Sequence, residues 1–137
     1  MTKEELTPEL FRVCDANLNR LKEGIRVIED IMRYRDNNKE LSQKLKTLRH
    51  LAVIDEYTQL LQHRDSINDV LRPSTKSELK RTSMMQIIAA NFKRAEESSR
   101  VLEEIFKLYN KSYSETFKHI RYELYDLEKT IVLSENG

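Results

Sequence analysis

Apolar residues recur with a helical period in two long stretches of the chain. Projected at about 100° per residue, Leu10, Val13, Cys14, Ala16, Leu21, Ile25, Val27, Ile28, Ile31 and Met32 share one broad arc. A second arc holds Met84, Ile87, Ile88, Ala90, Ala95, Val101, Leu102, Ile105 and Phe106. Local signals bound the elements. Thr7-Pro8 reads as an N-cap followed by Pro at the first helical position, opening a helix to about Arg35. Asn38 is placed to cap a second helix that reaches about His63. Residues 64–75 contain Pro73 and little periodicity, which predicts a loop. Thr75-Lys-Ser-Glu78 and Ser112-Tyr-Ser-Glu115 both fit the capping box, and they open helical regions to about Tyr109 and Leu133.

The two arcs are related. Residues 16–32 align without gaps on residues 90–106, an offset of 74, and the identical positions are Ala, Asn, Arg, Glu, Arg, Val, Glu and Ile. Chance would give about one identity in such a window, so the repeat is genuine. After a two-residue shift, Leu48-Arg49-His50 matches Ile120-Arg121-Tyr122. The expected architecture is all-α: an antiparallel four-helix bundle of two duplicated hairpins, about residues 8–63 and 76–133, with approximate two-fold symmetry.

Composition agrees with that class and removes several functions. The 137 residues suit one domain, and two Gly with two Pro leave too few turns for a many-stranded sheet. Charged residues are 34% of the chain but the net charge is +1, which argues against general nucleic-acid binding. A single cysteine fits a reducing compartment. No stretch reads as a signal peptide or a membrane span, so a cytoplasmic protein without membrane contact is expected. Tyr57 and Tyr125 leave a homodimer open, since either could instead be core.

The chemistry sits in the polar exceptions. Asn17 and Arg20 fall within the first apolar arc, as Asn91 and Arg94 do within the second, while Glu23 and Glu97 lie at the borders. A buried unsatisfied polar group costs roughly 1–3 kcal/mol. These side chains must therefore form a polar network, joined by Glu56 or Glu128, or line a pocket where two guanidinium groups meet an anion. The loop His63-Arg-Asp-Ser-Ile-Asn-Asp-Val70 offers Arg64 for a phosphate and Asp65 with Asp69 for a hydrated Mg²⁺. An Asx-turn explains the same loop equally well. With no glycine-rich loop, any phosphate must be held by side chains and helix termini. His50, His63 and His119 lack metal-ligand spacing, and Cys14 reads as a small core residue.

The ordered motifs resemble a known family. They are Arg12-Val-Cys-Asp-Ala-Asn-Leu-Asn-Arg20 continuing to Asp30, then Leu48-Arg49-His50, Arg64-Asp65 with Asp69-Val70, Ala90-Asn91 through Glu104, and Arg121-Tyr122 through Glu128. The chain is similar to the helical hydroxymethylpyrimidine-phosphate kinase domain found fused to thiamine phosphate synthase. The resemblance implies ATP-dependent transfer of a phosphoryl group to hydroxymethylpyrimidine phosphate, giving the diphosphate, with Mg²⁺ as cofactor. It also implies thiamine phosphate synthase as a partner. The resemblance assigns no residue its role; from their own chemistry Arg20, Arg94 and Arg64 are expected to act on the transferred phosphoryl group, and Asp65 and Asp69 to hold the metal. Arg26 and Arg100 would then bind phosphates, while Asn17, Glu23, Asn91 and Glu97 would contact substrate. The competing expectations are a non-catalytic docking or dimerisation module and a nucleotide-binding regulator.

Overall fold

The computed structural model describes residues 5–136 except 73–80, with the side chain of Asn136 omitted. The helices are α1 (Pro8–Asp30), α2 (Lys39–Leu51), α3 (Tyr57–His63), α4 (Met84–Tyr109) and α5 (Lys111–Asn136), and the described residues contain no strand. None of these helices is long and apolar enough to cross a membrane. The most extensive packing is between α4 and α5, then between α1 and α4, with α2 and α3 laid against α1.

Helix α1 starts where expected. The Thr7 hydroxyl accepts from the Leu10 amide at 3.2 Å, and Pro8 costs no hydrogen bond at the first position. Its last turn, Ile31–Arg35, widens into a π-helical turn. Asn37 then adopts a left-handed φ of 49°, a conformation Asn tolerates, and this ends the helix. Asn38 caps α2 by accepting from the Leu41 amide at 2.9 Å.

The second helix departs from expectation, because residues 52–56 interrupt it between α2 and α3. Ala52 and Ile54 are buried in the break. The Tyr113 hydroxyl accepts from the Asp55 amide at 2.9 Å, satisfying a donor that a continuous helix would have used internally. The capping box at Thr75 lies outside the described residues. Helix α4 is capped by Ser83, which accepts from the Gln86 amide at 3.2 Å. Helix α5 begins one residue before Ser112, and Asn110 supplies its cap by accepting from the Tyr113 amide at 3.1 Å. The buried Ser114 hydroxyl donates to the Glu103 carbonyl instead, pinning the α4–α5 corner.

The core is narrower and turned relative to the arcs read from sequence. Leu18 and its counterpart Phe92, 74 residues on, are buried at its centre beside Leu21, Ile25, Ala95 and Leu102. Val13, Val27, Met84 and Val101 lie outside it with substantial exposure. At about 100° per residue, Asn17 then falls at the edge of the core arc and Arg20 well beyond it. Gly24 lets α1 pack tightly on α4 at this point. A Cβ there would stand 3.0 Å from the Asn91 carbonyl oxygen and 3.4 Å from the Ala95 Cβ.

Candidate functional site

At Gly24 helices α1 and α4 pack closely, with the Asn91 carbonyl and the Ala95 Cβ against the glycine. Asn17 and Asn91, both buried, turn their amides back along their own helices, to the Val13 and Ile87 carbonyls at 2.8 Å each. These are equivalent bonds in the two repeats. Each satisfies a buried amide by local means.

A cleft does form one helical face away. It has a volume of about 600 Å³ and lies between the first half of α1 and the loop after α3. Helix α1 contributes Arg12, Asp15, Asn17, Asn19 and Arg20, and the loop contributes Arg64, Asp65 and Asp69. The residues of α1 meet there because positions three and four apart share a face. Five residues expected from sequence therefore line one cleft: Arg20, Arg64, Asn17, Asp65 and Asp69. Arg20 is exposed rather than core-facing.

Arg64 anchors the loop. Its Nε and a terminal nitrogen donate to the two carboxylate oxygens of Asp15, both at 2.7 Å, in a bidentate fork. Asp15 is nearly buried, and it also accepts a long 3.4 Å bond from the Asn19 amide. The Asp15 carboxylate holds the Arg64 guanidinium more firmly protonated, and Glu23 adds to that effect. Next to it, the His63 ring stacks on Phe11 with centroids 5.5 Å apart, seating α3 on α1.

Beyond Arg64 the loop is turned by its own carboxylates. Asp65 accepts from the Asn68 amide at 3.0 Å and from its side chain at 2.8 Å, and Asp69 accepts from the Leu71 amide at 3.0 Å. The Asx-turn expected as the structural role of this loop is thus present. The hydrogen bonds from Asn68 hold the Asp65 carboxyl below its ordinary range, and Arg12 across the cleft works in the same direction. Both carboxylates retain lone pairs and line the same cleft as the guanidinium groups. Among the described residues no group of three or more His, Cys, Asp or Glu side chains is arranged to hold a metal. Mg²⁺ at phosphate sites takes one or two carboxylates and completes its shell with phosphate oxygens and water. The donors of Asp65 and Asp69 fit that chemistry.

The remaining expected residues lie elsewhere. Arg94 is half-buried and Glu97 exposed on α4, and neither lines the cleft. Arg26 pairs with Asp30 at 3.2 Å, and its counterpart Arg100 pairs with Glu104 at 3.1 Å. Glu23 is exposed one turn beyond the cleft. Sequence reasoning gave no role to Arg12, Asp15 or Asn19. Their spacing of three, four and seven residues on one face of α1, continuous with Arg20, is the signal that would have found them.

Cys14 is fully buried, and burial with nearby Glu56 pushes its thiol up to about 12, which leaves it inert as a nucleophile at neutral pH.

Comparison with known proteins places these features in a family. Thiamine-phosphate synthase of Nostoc punctiforme is 37% identical over 134 residues, covering 95% of this chain and 37% of its own length. The Synechocystis thiamine-phosphate synthase is 38% identical over 127 residues, covering 92% of this chain and 37% of its own. That of Synechococcus sp. strain CC9605 is 35% identical over 137 residues, covering 99% of this chain and 39% of its own length. The chain therefore spans little more than a third of the curated relatives it matches. No solved structure matches it. The family model covers residues 12–130, which takes in the cleft residues from Arg12 to Asp69, and the chain belongs to the ThiD2 family.

Proposed function

We propose that this domain serves thiamine biosynthesis as an ATP- and Mg²⁺-dependent kinase. It moves the terminal phosphoryl group of ATP onto the phosphate of hydroxymethylpyrimidine phosphate, giving the diphosphate and ADP. The observation that carries this reading is the single cleft in which Arg12, Arg20 and Arg64 face Asp65 and Asp69. The thiamine-phosphate synthase relatives support the pathway.

The chemistry asks for what these residues supply. The acceptor oxygen belongs to a phosphate already anionic at neutral pH, so no strong general base is required. The difficulty is bringing two polyanions together. Arg12 and Arg20 on the helix and Arg64 on the loop neutralise phosphate oxygens from two sides, and the Asp15 fork fixes the plane of Arg64 before substrate arrives. Asp65 and Asp69 would hold Mg²⁺, which when bound screens the charge on the phosphates. Asn17 and Asn19 on the same wall offer hydrogen bonds to substrate.

We also read the fold as a four-helix bundle of two duplicated hairpins. In support, Glu29–Arg49 recurs as Glu103–Arg121, and the Asn17 bond recurs at Asn91. On this reading only the first half carries the cleft, because its second helix breaks at residues 52–56 whereas α5 runs on unbroken. A non-catalytic module docking on thiamine phosphate synthase, or pairing with a second copy, is the second reading. The tight Gly24–Asn91 packing and the chain's one-third share of its relatives favour it.

The test is to incubate the purified chain with Mg²⁺-ATP and hydroxymethylpyrimidine phosphate and to follow the diphosphate by mass spectrometry. Turnover that disappears in Arg64→Ala supports the kinase. A folded protein that forms no product across metals and nucleotides leaves the docking module as the better reading.

A further inference from the structure

A second cavity, of about 530 Å³, lies on the other side of α1, where the starts of α1 and α3 meet the α4–α5 corner. Its walls differ in kind from those of the Arg-lined cleft. Phe11, Phe106, Tyr109 and Tyr113 supply aromatic surface, and the polar groups include Glu56 and Gln59. Among the described residues the lining contains no Arg, Lys or His. The carboxylates of Glu5 and Glu56 disfavour an anion there, whereas a flat ring finds stacking surface and a carboxylate acceptor.

The walls are ordered by contacts already in place. Tyr113 meets Phe106 edge to face with centroids 5.2 Å apart, and Phe106 stacks on Phe117 at 5.9 Å. The Tyr113 hydroxyl is fixed by the Asp55 amide and gives a long 3.4 Å bond to one oxygen of Glu56. The other Glu56 oxygen makes no hydrogen bond with the described residues. The interruption between α2 and α3 is what brings Glu56 to this place, since it is the residue from which α3 starts.

We infer that this cavity binds a planar nitrogen heterocycle bearing an amino or ring N–H group, with Glu56 accepting the hydrogen bond and the aromatic side chains enclosing the ring. Adenine and an aminopyrimidine share that chemistry. The inference stands apart from the kinase reading, because it concerns binding of a ring without phosphate. Binding without phosphoryl transfer would keep it and remove the kinase, and transfer without ring binding here would do the reverse.

The test is an amide NMR titration of the full ¹⁵N-labelled chain with phosphate-free adenosine, with free hydroxymethylpyrimidine alcohol, and with inorganic phosphate. The expected result is that at least one ring probe shifts the Tyr109, Asn110 and Tyr113 signals while phosphate does not. Which probe succeeds identifies the ring. Gln59→Trp, at an exposed position on the wall, should block entry, and Glu56→Gln should weaken binding at least tenfold. If neither ring probe moves these signals at millimolar concentration in the folded protein, the inference fails. It also fails if both variants bind as the parent does, or if the rings shift only the signals of residues 64–69.

Discussion

Arg49 reaches from α2 to the nearly buried Glu29 of α1, donating to its two carboxylate oxygens at 2.7 and 3.2 Å. In the second half, Arg121 of α5 does the same for Glu103 of α4 at 2.9 and 3.2 Å. Each pair ties a long helix to the helix that follows it in the chain, and Glu29 and Glu103 stand 74 residues apart. Removing one partner strands a desolvated charge, which costs about 3–5 kcal/mol when both groups are buried. Arg121→Ala should fall at the lower end of that range, because Arg100 stays 3.4 Å from Glu103. Arg49→Ala should cost less, about 2 kcal/mol, because Arg49 keeps 19% of its side chain in solvent. Urea denaturation of the two variants measures the difference, and equal midpoints would show that burial does not set the strength of these pairs.

Gly24 gives a prediction whose sign is not obvious from helix propensity. Alanine is favoured over glycine in a helix interior by about 1 kcal/mol. Here the new methyl group would lie 3.0 Å from the Asn91 carbonyl oxygen, which its own helix holds in place. Overpacking of this kind costs about 1–3 kcal/mol. Gly24→Ala should therefore be destabilising by about 1 kcal/mol net, and Gly24→Val by more. A rise in melting temperature for Gly24→Ala would mean that α1 and α4 can separate at little cost.

What the sequence made legible follows from how local the determining forces are. The starts of α1 and α2 could be read because Thr7 and Asn38 cap their own helices. The break at residues 52–56 could not, because the Asp55 amide is satisfied by Tyr113, which lies 58 positions away. Arg64, Asp65 and Asp69 were visible as loop chemistry. The partner that orients Arg64 was not, since Asp15 sits 49 residues upstream on a different element. Arg20 and Arg94 looked equivalent by repeat, but the break after α2 gives only Arg20 a facing loop. Leu18 and Phe92 went unread because an arc widened to take in Val13 and Val101 was rotated away from its true centre.

Glu96 predicts the pH dependence of stability. It is buried on α4, with Oε2 lacking a hydrogen-bond partner, and it shares Lys93 with Glu128 of α5. Burial, then proximity to Glu128, pushes its carboxyl up to about 7. Protonation turns the orphaned oxygen into a donor towards Glu128. Because the folded state then holds a proton the unfolded state has lost, stability falls as pH rises from about 4.5 to about 7 and levels off above that. The loss is at most about 3 kcal/mol at about 1.4 kcal/mol per pH unit. Glu96→Gln should flatten this slope and be the more stable protein at pH 8. A parent whose stability is constant between pH 5 and 8 would contradict the shifted carboxyl.

Arg20 and Arg94 separate the cleft from the repeat as the source of activity. They occupy equivalent positions, 74 residues apart, and an axial site using both would lose turnover on removal of either. The cleft contains Arg20, while Arg94 is absent from its wall. Loss of one preorganised donor to a transferring group costs about 10²–10³ in turnover. Arg20→Ala should therefore reduce diphosphate formation by about 10²-fold, whereas Arg94→Ala should stay within about threefold of the parent. Arg20 is exposed, so its removal should leave the far-UV helical signal and the urea midpoint unchanged, and the loss can be assigned to chemistry. Equal losses in both variants would restore a site shared by the two repeats. A large loss in Arg94→Ala alone would move the reaction out of the cleft altogether.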